Sequence, residues 1–245
     1  MDIKSKDSME LRSEKERDSY QFEKLRKIID LAKSNSEGWK SILEGIKSDS
    51  IQKRNDLNNI PITQKSSLSK FQSLNPPLGG LTTKNPNNFR HLFASPGPIY
   101  EPGGEGDFWR MSRAMQAANF EKGDVMYNTF SYHLTPAGFM MDQAASKLGI
   151  GVIPGGIGNT ELQVRIISEL KPNRYVGTPS FLKIILEMGK EKNLDVSSLN
   201  TGLVGGEACP PSLRNKLSEL GCNVLQSYGT ADLGLVAYET WDMQG

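Results

Sequence analysis

Histidine and cysteine are nearly missing, with two of each in 245 residues. His91 and His133 stand far apart, and Cys209 and Cys222 match no zinc spacing, so no usual arrangement builds a metal site from the four. An excess of one charge is missing too. With 29 Lys and Arg against 28 Asp and Glu, the formal net charge is +1. That gives no global field for nucleic acid or an anionic membrane, and neither is expected as a partner. Long apolar runs are also absent: nothing approaches the roughly 18 residues of a membrane span. Residues 1–8 lack the apolar stretch of a signal peptide. The expectation is a soluble, unexported protein in the reducing cytoplasm.

The polar character is concentrated early in the chain, and the shift to ordinary globular composition marks a boundary. Residues 1–19 alternate charge with serine and show no helical period, so they read as a frayed tail. From Tyr20 to Lys33 the set Phe22, Leu25, Ile28, Ile29 and Ala32 recurs at helical spacing. A second amphipathic stretch carries Trp39, Ile42, Leu43 and Ile46, and Thr63 is a natural helix cap. Residues 20–78 are therefore read as an N-terminal helical segment. Residues 79–245 alternate strand and helix signals. Strands are expected at 125–130, 150–153, 174–177, 202–204 and 223–227. Helices are expected from Asp107, Pro136, Asn159, Pro179 and Pro211. Repeated β-loop-α units of this size predict an α/β fold: a mainly parallel sheet flanked by helices.

In such sheets ligands sit outside the carboxyl ends of the strands, which directs attention to the loops there. Gly205 and Gly206 end an apolar strand and precede the lone acid Glu207. The segment Gln226–Asp232 supplies an aromatic, Tyr228, that can stack on a base. Within it Gly229 allows close approach to a ligand, Thr230 can donate to an anion, and Asp232 can hold a hard cation such as magnesium. The same residues serve equally well as a strand, a tight turn and a helix cap. Tyr132 and His133 follow another strand, where a substrate pocket or a plain structural loop would fit. Thr178 and Ser180 aim at the same crevice, or simply cap the helix at Pro179. The loop from Ser95 to Gly104 looks like a phosphate loop until its details are read. Pro96, Pro98 and Pro102 delete amide donors, and Glu101 stands where lysine is wanted.

Taken in order, the Pro61–Lys65 segment, the loop at Ala94, Tyr132, Val152–Pro154, Gly177–Ser180, Gly205–Glu207 and Tyr228–Asp232 resemble the adenylate-forming acid–CoA ligases. The likeness is to their phenylacetate–CoA ligase-like branch, and it runs from about Ile60 to the C-terminus. The resemblance implies that a small carboxylic acid is activated with ATP to an acyl-adenylate and passed to coenzyme A. It implies that Gly205, Gly206 and Glu207 border the adenine, that Gln226 offers its amide to the base and that Tyr228 stacks on it. Thr230 would lie near the α-phosphate, Asp232 would hold Mg2+ in place of the family's glutamate, and Tyr132 and His133 would line the acyl pocket or its gate. Catalytic roles thus fall to Asp232, Thr230 and His133.

Three departures accompany the resemblance. The phosphate loop reads Pro96, Pro98, Ile99, Tyr100 and Glu101 in place of a Ser/Thr/Gly-rich loop with a lysine. Ala231 stands where a hydroxyl usually precedes the metal acid. The chain stops at Gly245, ahead of the family's hinge and small C-terminal domain, so the α/β core is expected to be incomplete. Two functional classes follow: a ligase-family enzyme, or a catalytically incomplete nucleotide- or acyl-binding module. A sheet cut short exposes an edge, so poor solubility or self-association is expected, with a homo-oligomer or a missing C-terminal domain as the expected partner.

Overall fold

The computed structural model describes residues 9–95 and 98–242. The chain forms two compact units, Met1–Gly103 and Gly104–Gly245, so the division falls well past the expected position at residue 79.

In the first unit, helix α1 (Glu14–Asn35) starts at a capping box. The Ser13 hydroxyl accepts from the Glu16 amide, and the Glu16 carboxylate accepts from the Ser13 amide. Residues 14–19, expected in a frayed tail, are therefore helical, while residues 1–8 of that tail lie outside the described residues. The apolar set of α1 divides. Phe22 and Ile29 are buried with Leu43 and Ile51, and Leu25, Ala32 and Trp39 pack beside them. Ile28, one residue off that stripe, is 61% exposed. After the short α2 (Glu37–Ile42), helix α3 (Lys65–Leu74) starts from Gln64 with no side-chain cap, so Thr63 stands one residue too early to serve.

Strands β1 (Leu92–Ser95) and β2 (Ile99–Pro102) form an antiparallel hairpin. Buried Gln72 on α3 clasps the Tyr100 peptide, donating to its carbonyl at 2.6 Å and accepting from its amide at 2.9 Å. Glu101 lies 3.1 Å from Lys65 and accepts from the Ser95 hydroxyl. These ties attach the hairpin to α3 and carry the boundary to Gly103. Pro96, part of the doubtful phosphate loop, lies outside the described residues.

The second unit opens with α4 (Met111–Ala117). Asp107, expected to cap it, is not the capping residue: Arg110 holds that position in the left-handed region, at φ 63°. The Asp107 carboxylate instead reaches forward to the Ser112 amide and hydroxyl and meets Lys147 at 3.2 Å. Strand β3 (Val125–Asn128), α5 (Ala137–Leu148), β4 (Gly151–Pro154), α6 (Thr160–Leu170), β5 (Arg174–Gly177), α7 (Pro179–Glu191), β6 (Thr201–Val204), α8 (Pro211–Glu219) and β7 (Asn223–Thr230) follow in alternation. The last strand among the described residues is β8 (Gly234–Tyr238), which was not expected from the sequence. The sheet order is β4-β3-β5-β6-β7-β8, parallel throughout except that β8 runs antiparallel to β7. The expected α/β fold with a mainly parallel sheet is what the structure has.

Alternation along the strands sets the core. Tyr127, Tyr175, Val204 and Val224 turn to the face covered by α6, α7 and α8, where they meet Val164, Ile167, Leu182, Ile185 and Leu217. Met126, Val176, Leu203 and Leu225, at the intervening positions, are also buried. Strands buried on both faces read as continuous apolar runs, which is the signature of a parallel sheet.

Candidate functional site

Parallel strands bring their carboxyl ends to one edge. The chain leaves β3 for β4 on one side and returns to β5 on the other, so the sheet order reverses between β3 and β5. Crevices at such reversals are where open α/β sheets take ligands.

The floor of that edge is built around Gly177. A Cβ there would meet Thr129 Oγ1 at 1.9 Å and the Tyr175 hydroxyl at 2.4 Å. Those two hydroxyls lie 2.8 Å apart, and the Tyr175 hydroxyl donates to the Thr178 carbonyl at 3.0 Å. Burial pushes the Tyr175 phenol far above its ordinary pKa, so it stays a neutral donor. Thr178 caps α7, its hydroxyl accepting from the Phe181 amide. Sequence reasoning missed Thr129, which carries no motif signal.

The next two loops are tied to this floor. The Gly205 amide donates to the Gly177 carbonyl at 3.0 Å, and Gly206, at φ 79°, turns the chain away from the ladder. That turn brings Glu207 to the amino end of α7, where its carboxylate accepts from the Ser180 amide at 2.8 Å. Gln226 holds the same loop from β7: Nε2 donates to the Glu207 carbonyl, and Oε1 accepts from the Cys209 amide, both at 3.2 Å. Glu207, Ser180, Thr178, Gly205, Gly206 and Gln226 are thus one connected group.

Beyond Gln226 the strand continues to Thr230 instead of ending at Ser227. Tyr228 is 61% exposed beside a register shift in the β7–β8 ladder. Gly229 allows a close approach, but to the Gly234 carbonyl, 3.0 Å from where its Cβ would be. The Thr230 hydroxyl accepts from the Leu233 amide at 3.1 Å, closing the turn that carries exposed Asp232. A clamp unforeseen in the sequence holds that turn. Trp109 donates from its indole to the Ala231 carbonyl and from Leu235 receives an amide at 2.8 Å, and Arg110 donates to the Leu233 carbonyl. At the far end of the hairpin Arg214 pairs with Glu239 at 2.8 Å, and Glu239 accepts from the Gln226 amide.

Tyr132 and His133 follow β3. The Tyr132 hydroxyl accepts from Asn128 at 2.8 Å and faces Asp142, and its ring meets Phe139 edge-on. Burial and the Asp142 charge push its phenol upward. Tyr132 is therefore tied to β3 and α5, with its polar end turned toward the protein. His133 is exposed, its amide donating to the Ser131 hydroxyl. Phe130 is the residue of this loop that reaches the glycine turn: a Cβ on Gly206 would lie 3.5 Å from its ring. Cys209 and Cys222 are free and buried, and burial raises both thiols, Cys222 to about 12. Among the described residues no cluster of three His, Cys, Asp or Glu could hold a metal by itself. Among them, too, no helix is long and apolar enough to cross a membrane.

A family model described as "AMP-binding enzyme" matches residues 110–245. The phenylacetate-coenzyme A ligase of Aromatoleum evansii is 26% identical over 238 residues, 92% of this chain and 53% of that protein. The enzyme of the same name from Pseudomonas putida is 30% identical over 126 residues, 50% of this chain and 29% of its own length. A solved 2-hydroxyisobutyryl-CoA ligase, in complex with 2-HIB-AMP and CoA, matches with a TM-score of 0.85 at 20% identity over 94% of this chain and 53% of that one. This last likeness is one of fold. The chain spans about half the length of the Aromatoleum relative.

Proposed function

Because the chain belongs to the AMP-binding enzyme family, we propose that it carries the nucleotide site of an acid–CoA ligase. A carboxylate oxygen attacks the α-phosphorus of ATP, the bond from that phosphorus to the bridging oxygen breaks, and pyrophosphate leaves. The coenzyme A thiol then adds to the acyl carbon and loses its proton as AMP departs. Little covalent chemistry is asked of the protein in the first step, which depends on alignment and on neutralising charge at phosphorus. The observation that carries the reading is the adjacency of Gly205–Glu207 and Tyr228–Asp232 beyond the ends of β6 and the β7 residues paired with it.

In this reading the main chain at Gly205, Gly206 and Glu207 borders the adenine, and the exposed Tyr228 ring stacks on it. Gln226 lies at the edge of the same pocket. Gly229 keeps β7 and β8 close enough for the turn to present its residues, and Thr230 lies near the α-phosphate. Asp232 is a hard oxygen donor of the kind magnesium accepts beside water and phosphate oxygens. The ion would supply charge neutralisation at the phosphates. Tyr132 positions the acyl pocket through its ring, His133 lies at the pocket entrance, and Thr178 and Ser180 shape its floor through α7. Two buried free thiols suit a reducing, cytoplasmic setting. The outer edge of β8 is the surface proposed for self-association or for a further domain.

Acid-dependent exchange of labelled pyrophosphate into ATP tests the activity, with a panel of aromatic and short aliphatic acids. Exchange is expected with at least one of them. None from this chain would remove the ligase assignment for it. Calorimetric AMP binding that survived both Tyr228→Ala and Asp232→Ala would remove the site.

A further inference from the structure

We propose that Gln226 is a positioning residue. Its side-chain amide sets the Glu207–Cys209 main chain and so delivers the Glu207 carboxylate to the amino end of α7. The consequence for ligands rests on the nucleotide reading above; the positioning itself does not.

Up to Gly205 the β6 peptides are paired in the ladder, the last through the Gly177 carbonyl. Gly206 then turns the chain out, and the peptides beyond it need other partners, because Cys209 is buried. Gln226, opposite Val204 in the register, offers a planar group with one donor end and one acceptor end. Nε2 takes the Glu207 carbonyl and Oε1 takes the Cys209 amide. A side chain thus does for this loop what a neighbouring strand does for a ladder. Gln72 makes the same two-ended grip on the Tyr100 peptide in the first unit.

Glu207 is consequently held at both ends, its carbonyl by Gln226 and its carboxylate by the Ser180 amide. The amino end of α7, the loop after β6 and strand β7 are coupled through it. Asparagine is one methylene too short to span both contacts, whereas glutamate keeps an acceptor for Cys209 and loses the donor to Glu207.

Amide exchange on the full chain reads the coupling directly. In Gln226→Leu the Cys209 and Ser180 amides should exchange about tenfold faster, the effect of one lost hydrogen bond, while Met126 and Val176 in the sheet centre keep their protection. Unchanged exchange at Cys209 and Ser180 would overturn the proposal. If Gln226→Leu loses protection everywhere, Gln226→Glu decides: faster exchange at Ser180 with Cys209 still protected supports it, and wild-type exchange at Ser180 overturns it. A ligand arm separates positioning from direct base reading by titrating AMP and purine riboside 5′-monophosphate, which lacks the 6-amino group. An equal fold-loss for both in Gln226→Glu supports positioning, and a loss confined to AMP overturns it. If the wild-type chain binds neither compound, the nucleotide reading fails, and the exchange results still judge Gln226.

Discussion

Gly177→Ala places one methyl group where the strand-end floor has no room. The added Cβ would stand 1.9 Å from Thr129 Oγ1 and 2.4 Å from the Tyr175 hydroxyl, both on buried residues. Neither can move away as a flexible tip would. Thr129 Oγ1 is also 3.2 Å from the Val176 carbonyl, and the Tyr175 hydroxyl is held by the Thr178 carbonyl. Overpacking a core costs about 1–3 kcal/mol, and each hydrogen bond displaced adds about 1 kcal/mol. The expected destabilisation is therefore roughly 3–5 kcal/mol, which for a chain of this size lowers Tm by roughly 6–20 °C. Thermal and urea unfolding followed by circular dichroism measure it. Gly151→Ala is the control, because its nearest neighbours would lie 3.8 Å away and its backbone is ordinary strand; it should shift stability by less than about 1 kcal/mol. Adding Thr129→Ala to Gly177→Ala removes the nearest obstacle and should recover part of the loss. If Gly177→Ala melts with Gly151→Ala, the account of the floor is wrong.

The Asp124–Arg174 pair, 2.8 Å apart at the opposite end of β3 and β5 with Asp124 buried, gives a pH prediction. Burial alone would raise the Asp124 carboxyl, but hydrogen bonds from the Glu121 amide, Asn173 and Arg174 and the Arg174 charge outweigh it and lower its pKa below 3.8. A carboxylate held below its ordinary value stabilises the fold above that value and loses its contribution as pH falls through the folded one. Asp124→Ala should therefore cost about 3 kcal/mol at pH 7, with a gap to wild type that narrows below pH 3.8; a gap unchanged at pH 2.5, where the fold survives, would contradict this. With burial raising both thiols, Cys209 and Cys222 should resist alkylation at pH 8 until the chain unfolds. Rapid labelling of the native chain would count against the burial described. Trp109→Phe removes the indole donor to Ala231 and should cost about 1 kcal/mol. Faster amide exchange at Leu233 is its signature, and no change there would show that the clamp does not hold the turn.

Strand and helix alternation in the second unit was legible where helices are punctuated by chemistry that acts locally, as at α5 and α7. Gly149, at φ 72°, stops α5, and Thr178 with Pro179 starts α7 by supplying both a cap and a fixed φ. Elements whose existence depends on distant contacts were not legible. Strand β8 contains Gly234 at φ 68°, where a Cβ would press into the Trp109 backbone at 2.6 Å, and the strand is fixed by a partner 126 residues earlier through the Leu235 amide. The capping box at Ser13 was local and readable, yet the serine-rich, charged composition around it concealed the start of α1. The boundary between the units moved for a similar reason. A Gln72 side chain 28 residues away fastens the hairpin, and composition carries no record of such a grip.

The site was legible as a place more than as a set of roles. Glycines after apolar strands marked the carboxyl edge of the sheet, because a chain leaving a buried parallel strand has to turn out of the ladder there. Which atoms face outward is decided by a different requirement, that every main-chain group leaving the ladder finds a partner. At this edge the polar side chains meet much of that requirement themselves. Gln226 serves Glu207 and Cys209, Glu207 serves Ser180, Thr178 serves Phe181, and Thr230 serves Leu233. Residue types that suit ligand binding also suit this internal work, so the sequence could not divide the two. Exposed at this edge are the Tyr228 ring, the Asp232 turn, Gly206 and Glu207. An aromatic face and a hard oxygen donor are what the proposed nucleotide site would use there. In the nucleotide reading, catalysis by this edge would rest on alignment and charge.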